Sequence, residues 1–301
     1  MPPLPRRLLL ALLILSNCIS LCEASDRMDG RYSFSLTTFD PTGKLGQVER
    51  ATAAAALGAP IVAVALSDSI VMACPQVLQS PLIVDDGTSR FTKITKEIVV
   101  AHTGLSADGR VLVAAAQRMA VEHEYTFDET IPIELFLEGL SLLFQEYTMK
   151  PAARPFGATL VVAHVPSLET KMRCLLEESA GRPQLYRIDP SGSVESLGNH
   201  VVLNGNLGRT NVLIRVKQMA QKADSSSSSS SPTTSMEDTR EMLVDALKSG
   251  LVEQSTRNRQ EPSDYTLLTA SLSSKGHFKV QRHEPTVDAA KNETGESKQQ
   301  R

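Results

Sequence analysis

The side chains that could do chemistry are scattered and do not form a recognisable catalytic motif. The sequence contains no Gly-x-Ser-x-Gly nucleophile elbow, no Gly-x-x-x-x-Gly-Lys-Ser/Thr phosphate loop and no His-Glu-x-x-His zinc motif. His123 has a glutamate on either side, a pattern more typical of a solvated helix face than of a metal site. Asp85 and Asp86 could form a carboxylate cluster with Asp108, but solvation in loops is the simpler interpretation. We therefore expect neither a metal nor a cofactor.

The most informative local pattern is a tight turn followed by an alanine-rich helix. A β-like segment with several Ser and Thr residues covers residues 32–39. At the turn itself, Asp40 can accept hydrogen bonds from the backbone, Pro41 fixes φ and Gly43 tolerates positive φ. A helix is then predicted over residues 44–57. Its small side chains bury little apolar surface of their own, so we expect this element to contact neighbouring chains.

The remainder of the chain alternates groups of strands with pairs of helices. Strands are predicted at residues 61–66, 70–74, 91–94, 97–102, 158–165, 184–188, 193–197, 265–270 and 276–280. Helices are predicted from a Ser106 cap to about residue 124, from Pro132 to about 147, over 211–222 and over 237–248. Val111, Ala115 and Met119 are predicted to lie on the apolar face of the first of these. This order predicts an α+β fold in which helices cover the sheets, and other α+β arrangements remain open.

Composition excludes some classes of partner. The formal net charge is −3, and aromatic residues make up only 4% of the chain with no Trp. This leaves no electrostatic or stacking basis for binding nucleic acid. Of the four cysteines, Cys74 and Cys174 lie outside the first 24 residues, and we expect both to be free and buried.

The two ends differ in character from the central part. In residues 1–24, Arg6 and Arg7 precede an apolar run, and small residues precede Ser25, which is the layout of a secretory signal peptide. The run is too short for a membrane span. The alternative is an upstream start-site error, with Met28 as the normal start. We expect a single domain over 28–285, a Ser-rich insertion at 224–234 and a disordered polar tail at 286–301.

Residues 32–51 resemble the N-terminal signature of the α-type subunits of the proteasome core particle. Most of the family pattern Ser-Pro-x-Gly-Lys-Leu-x-Gln-Val-Glu-Tyr-Ala is present, with Asp40 in place of Ser and Arg50 in place of Tyr. Residues 32–39 are most similar to the second α type. Similar motifs follow in the family order at residues 145–148, 154–157, 189–192 and 197–198. The resemblance implies the four-layer αββα sandwich of the N-terminal nucleophile hydrolase class.

The resemblance also implies a function. It implies a noncatalytic α-ring subunit that gates substrate entry and docks regulators in ubiquitin-dependent protein catabolism, in cytoplasm and nucleus. Its partners would be other α-type and β-type subunits, with proteolysis belonging to the β type. Residues implied at the gate or in ring contacts are Tyr32, Asp40, Pro41, Gly43, Gln47 and Glu49. Arg90 falls where the family places a Lys that meets an activator's C-terminal carboxylate, and an ordinary exposed loop arginine is the alternative.

Two other interpretations remain open at this point. The leader, Arg50 and the Ser-rich insertion favour a diverged paralogue that acts as a scaffold in an organelle or secretory compartment. An active N-terminal nucleophile hydrolase would need an N-terminal nucleophile exposed by processing, such as Ser25. Thr37 and Thr38 do not fit that role, because they follow Leu36 rather than the Gly that precedes the cleavage point in active β-type precursors.

Overall fold

The computed structural model describes residues 37–77, 90–150, 153–167, 170, 181–203, 211–225, 236–258 and 265–283. The described elements follow in the order α1 (Gly46–Ala56), β1 (Ile61–Ala65), β2 (Ser69–Val77), β3 (Phe91–Lys93), β4 (Ile98–Gly104), α2 (Ser106–Phe127), α3 (Ile133–Met149), β5 (Ala158–His164), β6 (Gln184–Ile188), β7 (Val194–Gly198), β8 (His200–Leu203), α4 (Asn211–Ser225), α5 (Met236–Asn258), β9 (Tyr265–Ser273) and β10 (Phe278–His283). The predicted domain bounds at 28 and 285 lie outside the described residues.

Ten strands form two antiparallel five-stranded sheets in the part of the chain that the structure describes. Sheet A has the order β10-β9-β2-β1-β8, and sheet B has the order β3-β4-β5-β6-β7. The predicted hairpin of β1 and β2 is confirmed, with Ala65 opposite Ile70. The closing hairpin of β9 and β10 is also confirmed, with Phe278 opposite Leu272.

The two sheets pack face to face between two helix layers. In β1, Ile61, Ala63 and Ala65 face sheet B. Val62 and Val64, which alternate with them, pack against α4 and α5. In β5, Val161 and Ala163 face sheet A, while Leu160 and Val162 pack under α2 and α3. Both faces of these strands are buried, which explains their nearly continuous apolar sequences. The predicted α+β fold with an αββα sandwich is confirmed.

Helix α2 differs from the prediction at its start and on its buried face. Leu105 occupies the N-cap position and no side chain caps the helix, so the Ser106 cap was wrong. The amide of Leu105 instead donates to the Gly157 carbonyl at 3.0 Å, so the helix starts directly after β4. The helix also extends to Phe127, beyond residue 124. Val111 is 54% exposed and does not face the sheet. The face of α2 that packs on the sheet is formed instead by Asp108, Gly109, Leu112, Val113, Ala116 and Ala120.

Other differences reflect tertiary packing. Helix α5 runs past the predicted end at 248 and through Gly250, because Leu243, Val244 and Leu247 pack on sheet A and Leu251 extends the contact. Helix α4 ends at Ser225 and so includes the first two residues of the predicted Ser-rich insertion. The rest of that insertion lies outside the described residues. Strand β8 was not predicted, because its four residues depend on pairing with β1.

Candidate functional site

The predicted turn at Asp40 is present, and it is held by hydrogen bonds among residues 40–44. Asp40 Oδ1 accepts hydrogen bonds from the Thr42 amide at 3.0 Å, the Thr42 hydroxyl at 2.7 Å and the Lys44 amide at 2.7 Å. The Gly43 amide donates to the Asp40 carbonyl at 2.9 Å, and Gly43 has φ +81°. The hydrogen bond from the Lys44 amide, followed by that from the Thr42 side chain, holds the pKa of Asp40 below its usual value. The ionised carboxylate therefore organises the backbone that leads into α1.

Helix α1 packs on the ends of β4 and β5 through its smallest side chains. Its buried residues are Ala51 and Ala55. A Cβ added at Gly104 would lie 2.4 Å from the Gly157 carbonyl oxygen and 3.0 Å from the Ala55 Cα. One added at Gly58 would lie 2.1 Å from the Gly104 nitrogen. The backbone of α1 and the residues after it can therefore lie directly on the strand ends only because these positions are glycine.

Two hydrogen bonds join the chain around this close approach. The Thr103 hydroxyl donates to the Ala59 carbonyl at 2.6 Å, which ties the exit from α1 to the end of β4. The Leu105 amide donates to the Gly157 carbonyl at 3.0 Å, which ties the end of β4 to the start of β5. From here the chain passes through Pro60 into β1, so the first strand of sheet A is entered directly from α1.

An ion pair that was not predicted from the sequence holds the start of β5 in the same region, next to Gly157. Arg154 Nη1 lies 2.6 Å from Asp108 Oδ2 and Nη2 lies 2.7 Å from Oδ1, a bidentate arrangement. Asp108 Oδ2 also accepts the Gly157 amide at 2.8 Å. The hydrogen bond from Arg154 is the main reason that the pKa of Asp108 is lowered, and the same pair raises the pKa of Arg154.

The interpretation of Asp108 as a loop carboxylate was therefore wrong. Its residue is 7% exposed in the first turn of α2, where the ion pair compensates its burial. Asp85 and Asp86 lie outside the described residues. The one sequence signal for this ion pair was the motif at residues 154–157, which begins with Arg154. Its partner could not be identified, because Asp108 is 46 residues away in sequence.

Arg90 is partly buried in the bend directly before β3. Its Nη1 atom is buried with no hydrogen-bond partner among the described residues, and the same holds for Nδ1 of His102 on the adjacent strand β4. Burial, followed by the charges of Arg90 and Arg110, lowers the pKa of His102 to about 4. Gly109 makes room for this imidazole, because a Cβ there would lie 2.2 Å from His102 Cδ2. In the described part of the chain, this region thus holds two buried nitrogens without partners, close to the positive charges of Arg90 and Arg110.

The structure groups some of the predicted site residues and separates others. Asp40, Pro41 and Gly43 share one turn, and Gln47 and Glu49 follow on the first turns of α1. Gln47 is partly buried and Glu49 is exposed, as is the neighbouring Arg50. Arg90 belongs to a different element. Tyr32 lies outside the described residues.

The other side chains that could do chemistry are His123 and the cysteines, and His123 and Cys74 are held by packing within the fold. His123 Nδ1 lies 3.2 Å from the Glu129 carbonyl, and its ring packs on Phe127 with 4.7 Å between centroids. Cys74 is a free, buried cysteine, and burial raises the pKa of its thiol to about 12. Cys174 lies outside the described residues. Within the described ranges there is no group of three or more His, Cys, Asp or Glu residues that could hold a metal ion.

None of the described helices combines the length and apolar character needed to cross a membrane.

Comparisons with known proteins give a consistent result. The proteasome subunit family matches residues 55–259. Proteasome subunit alpha type-2 of Drosophila melanogaster is 37% identical over 163 residues, or 54% of this chain and 64% of that protein. The alpha type-2 subunit of Caenorhabditis elegans is 34% identical over 166 residues, and that of Oryza sativa subsp. indica is 33% identical over 165. These two alignments cover 55% of this chain and 66% and 65% of the relatives, so the chain matches just under two thirds of each.

Proposed function

Since the chain belongs to the proteasome subunit family, and within it is similar to alpha type-2 subunits, we propose that it is a noncatalytic α-ring subunit of the proteasome core. In this role it gates substrate entry and docks regulators, and the β-type subunits cleave peptides. One observation carries the proposal. Helix α1, held by Gly58, Gly104 and Gly157, leads directly into β1, so the first strand begins with Ile61 inside a continuous chain.

That continuity argues against an N-terminal nucleophile at β1. The mechanism of this enzyme class uses a free α-amine as the base for the hydroxyl of the same terminal residue. Here the Thr103 hydroxyl at the end of β4 is committed to the Ala59 carbonyl at 2.6 Å and is fully buried. Strand β1 itself begins with Ile61, whose side chain has neither a hydroxyl nor a thiol to act as that nucleophile.

An exposed stripe on α2 supports assembly with other subunits. Val111, Ala114, Arg118, Val121 and Tyr125 recur at spacings of three and four and are all exposed. Val121 is 64% exposed and Tyr125 is 92% exposed. Apart from Arg118, these exposed side chains are apolar or aromatic, and at this spacing they form a face on which a second helix can pack. We infer that α2 packs against a helix of another proteasome subunit.

The Asp40 turn supports the gating part of the proposal. It positions the chain that precedes α1, and it is internally rigid because the Asp40 carboxylate accepts three hydrogen bonds. We infer that this turn and Tyr32 belong to the gate through which substrates enter. Pro41 and Gly43 are exposed and available to a neighbouring subunit.

Arg90 and His102 support regulator docking. A carboxylate that enters this site would satisfy the buried Arg90 Nη1 with a charge-assisted hydrogen bond. Among the described residues this donor has no partner, and an unsatisfied buried donor costs about 1–3 kcal/mol, which a docked carboxylate would recover.

Assembly tests the proposal through paired variants on α2. Tyr125→Asp places a charge on the stripe and is expected to reduce incorporation of the chain into proteasome particles on a sizing column. Thr126→Asp is the control, because Thr126 directly follows Tyr125, is also exposed and lies about 100° around the helix from it, so this variant should assemble normally. Equal incorporation of both variants would contradict the assembly role of α2.

The scaffold paralogue remains a second candidate because Arg50 is exposed on α1 where the family carries Tyr. This second candidate predicts a complex without β-type subunits. The subunit composition of the purified complex therefore distinguishes the scaffold paralogue from the α-ring subunit.

A further inference from the structure

Two turns from different sheets meet at one end of the sandwich, opposite the end that carries α1. The turn after β3 contains Lys96, and the turn between β9 and β10 contains Gly276. Lys93 Nζ donates to the Gly276 carbonyl at 2.9 Å, which joins sheet B to sheet A. A Cβ at Gly276 would lie 3.5 Å from Lys96 Cβ, and Gly276 has φ +72°. The two turn tips are therefore held in fixed contact.

The residues around this contact are basic. We call Lys93, Lys96, Lys275 and His277 the turn patch. Lys96, Lys275 and His277 are exposed and Lys93 is partly buried. Residues 90–96 and 274–283 contain no Asp or Glu. The chain as a whole has a net charge of −3, so this grouping does not follow from its composition.

The neighbouring acidic residue does not neutralise the patch. Glu97 follows Lys96, but its carboxylate turns inward, 3.6 Å from His164 Nε2, and its side chain is only 14% exposed. Its Oε1 atom accepts hydrogen bonds from the Ser167 amide at 3.1 Å and the Thr170 hydroxyl at 2.7 Å. Among the described residues, the acidic Asp68 in the β1–β2 turn also lies close, since its carbonyl accepts the Ser274 amide at 2.9 Å, and its single charge offsets at most one of the patch lysines.

Protection of an edge strand does not account for the patch. Lysines on edge strands discourage pairing with other chains, which suits Lys279 on β10. Lys96 and Lys275 lie on turn tips that offer no hydrogen-bonding edge to protect. Like charges held together at a surface repel one another, and an anionic partner would remove that cost while steering its own approach.

We propose that the turn patch binds an acidic segment of a partner protein. A short peptide with several Asp or Glu side chains matches two exposed lysines and a histidine grouped around one glycine. The patch offers no exposed aromatic side chain for nucleobases to stack on and no exposed large apolar side chain to enter a lipid surface. The proposal goes beyond the subunit function proposed above and does not depend on where the chain sits in a particle.

The test uses the full chain and a fluorescein-labelled peptide of eight glutamates, followed by fluorescence anisotropy at low and physiological salt. Lys96→Gln with Lys275→Gln removes two patch charges and leaves the Lys93 bond intact. Lys150→Gln with Lys217→Gln is the matched control, since both lysines are exposed and lie on other elements. The patch variant should bind about tenfold more weakly, because it loses two charges that face the peptide and each exposed ion pair is worth about threefold in affinity. The control should change less than about twofold, and salt should weaken wild-type binding.

Several results would overturn the proposal. They are an equal loss in both double variants, equal binding of an eight-glutamine peptide, no binding at low salt, or tighter binding of an octanucleotide than of the glutamate peptide. Thermal unfolding of both variants checks that the fold is intact. Incorporation into particles, measured on the same preparations, reports separately on the proposed subunit function, which the patch variant should retain.

Discussion

Arg154 holds the Asp108 carboxylate through two hydrogen bonds of 2.6 and 2.7 Å, and the same carboxylate accepts the amide of Gly157 at 2.8 Å. The side chain of Asp108 is 9% exposed and that of Arg154 is 64% exposed, so the acid is buried and its partner closes the site from the solvent side. This pair fixes the start of β5 next to α2, directly beneath the strand ends on which α1 packs.

Replacing Asp108 by Asn is expected to lower the free energy of unfolding by about 1–3 kcal/mol at pH 7, because a charged hydrogen-bond acceptor is lost at a buried position. The folded-state pKa of Asp108 is lowered, so its stabilisation is present above its unfolded pKa of about 3.9 and is lost as pH falls through the folded value. Urea unfolding at several pH values measures both effects. Glu146→Gln, in the exposed Lys150–Glu146 pair, should change stability by less than about 0.5 kcal/mol, and equal effects would contradict the role of Asp108.

Replacing Gly104 by Ala is expected to displace α1. The new Cβ would lie 2.4 Å from the Gly157 carbonyl oxygen, in a backbone conformation with φ +103°. Gly198→Ala is the control, because Gly198 also has positive φ, +66°, but no atom lies within 4 Å of an added Cβ. We expect Gly104→Ala to be more destabilising by about 1–3 kcal/mol and to expose the α1 amides to hydrogen exchange. Equal destabilisation would show that only the backbone conformation matters.

Replacing Glu97 by Gln is expected to reduce stability in a pH-dependent way. Burial would raise the pKa of Glu97, but hydrogen bonds from His164, Ser167 and Thr170 outweigh it and lower the pKa to about 2. Since the unfolded pKa is about 4.3, the stabilisation is complete above that value and is lost as pH falls toward about 2. The difference between wild type and Glu97→Gln should therefore narrow from pH 5 to pH 3 in urea unfolding. Glu138→Gln, at an exposed position, should show no such trend, and a constant difference for Glu97→Gln would refute the assignment.

Replacing Arg90 by Ala is expected to weaken binding of a regulator's C-terminal peptide to assembled particles, because a partly buried guanidinium that can meet a carboxylate is removed. Isothermal titration with the free-acid and amidated forms of one peptide measures the effect. Wild-type particles should prefer the free acid, and the variant should lose most of that preference. The same preference in both would exclude Arg90 from carboxylate binding.

The buried strands of the fold could be predicted from local sequence, because strands that are buried on both faces have continuous apolar runs. The arrangement of the layers followed only from the resemblance to proteasome subunits. Val62 and Ala63 face opposite layers, yet both belong to one such run. The turn at Asp40 was also predictable from local sequence, because the hydrogen bonds that form it all lie within five consecutive residues.

Features that depend on distant partners could not be predicted. Asp108 looked like a surface carboxylate until the chain brought Arg154 beside it. Strand β8 forms because β1 offers it an edge, and the rotation of α2 that exposes Val111 depends on the sheet beneath. The burial of Arg90 likewise depends on the fold, because no local pattern distinguishes it from an ordinary loop arginine.

The most direct test of the central claim is native mass spectrometry of the tagged chain purified from cells that encode it, together with peptide hydrolysis by the chain alone. The account predicts a particle in which this chain is present with other α-type and β-type proteasome subunits, and no hydrolysis by the isolated chain. A chain that is recovered alone, or that cleaves peptides by itself, would contradict it.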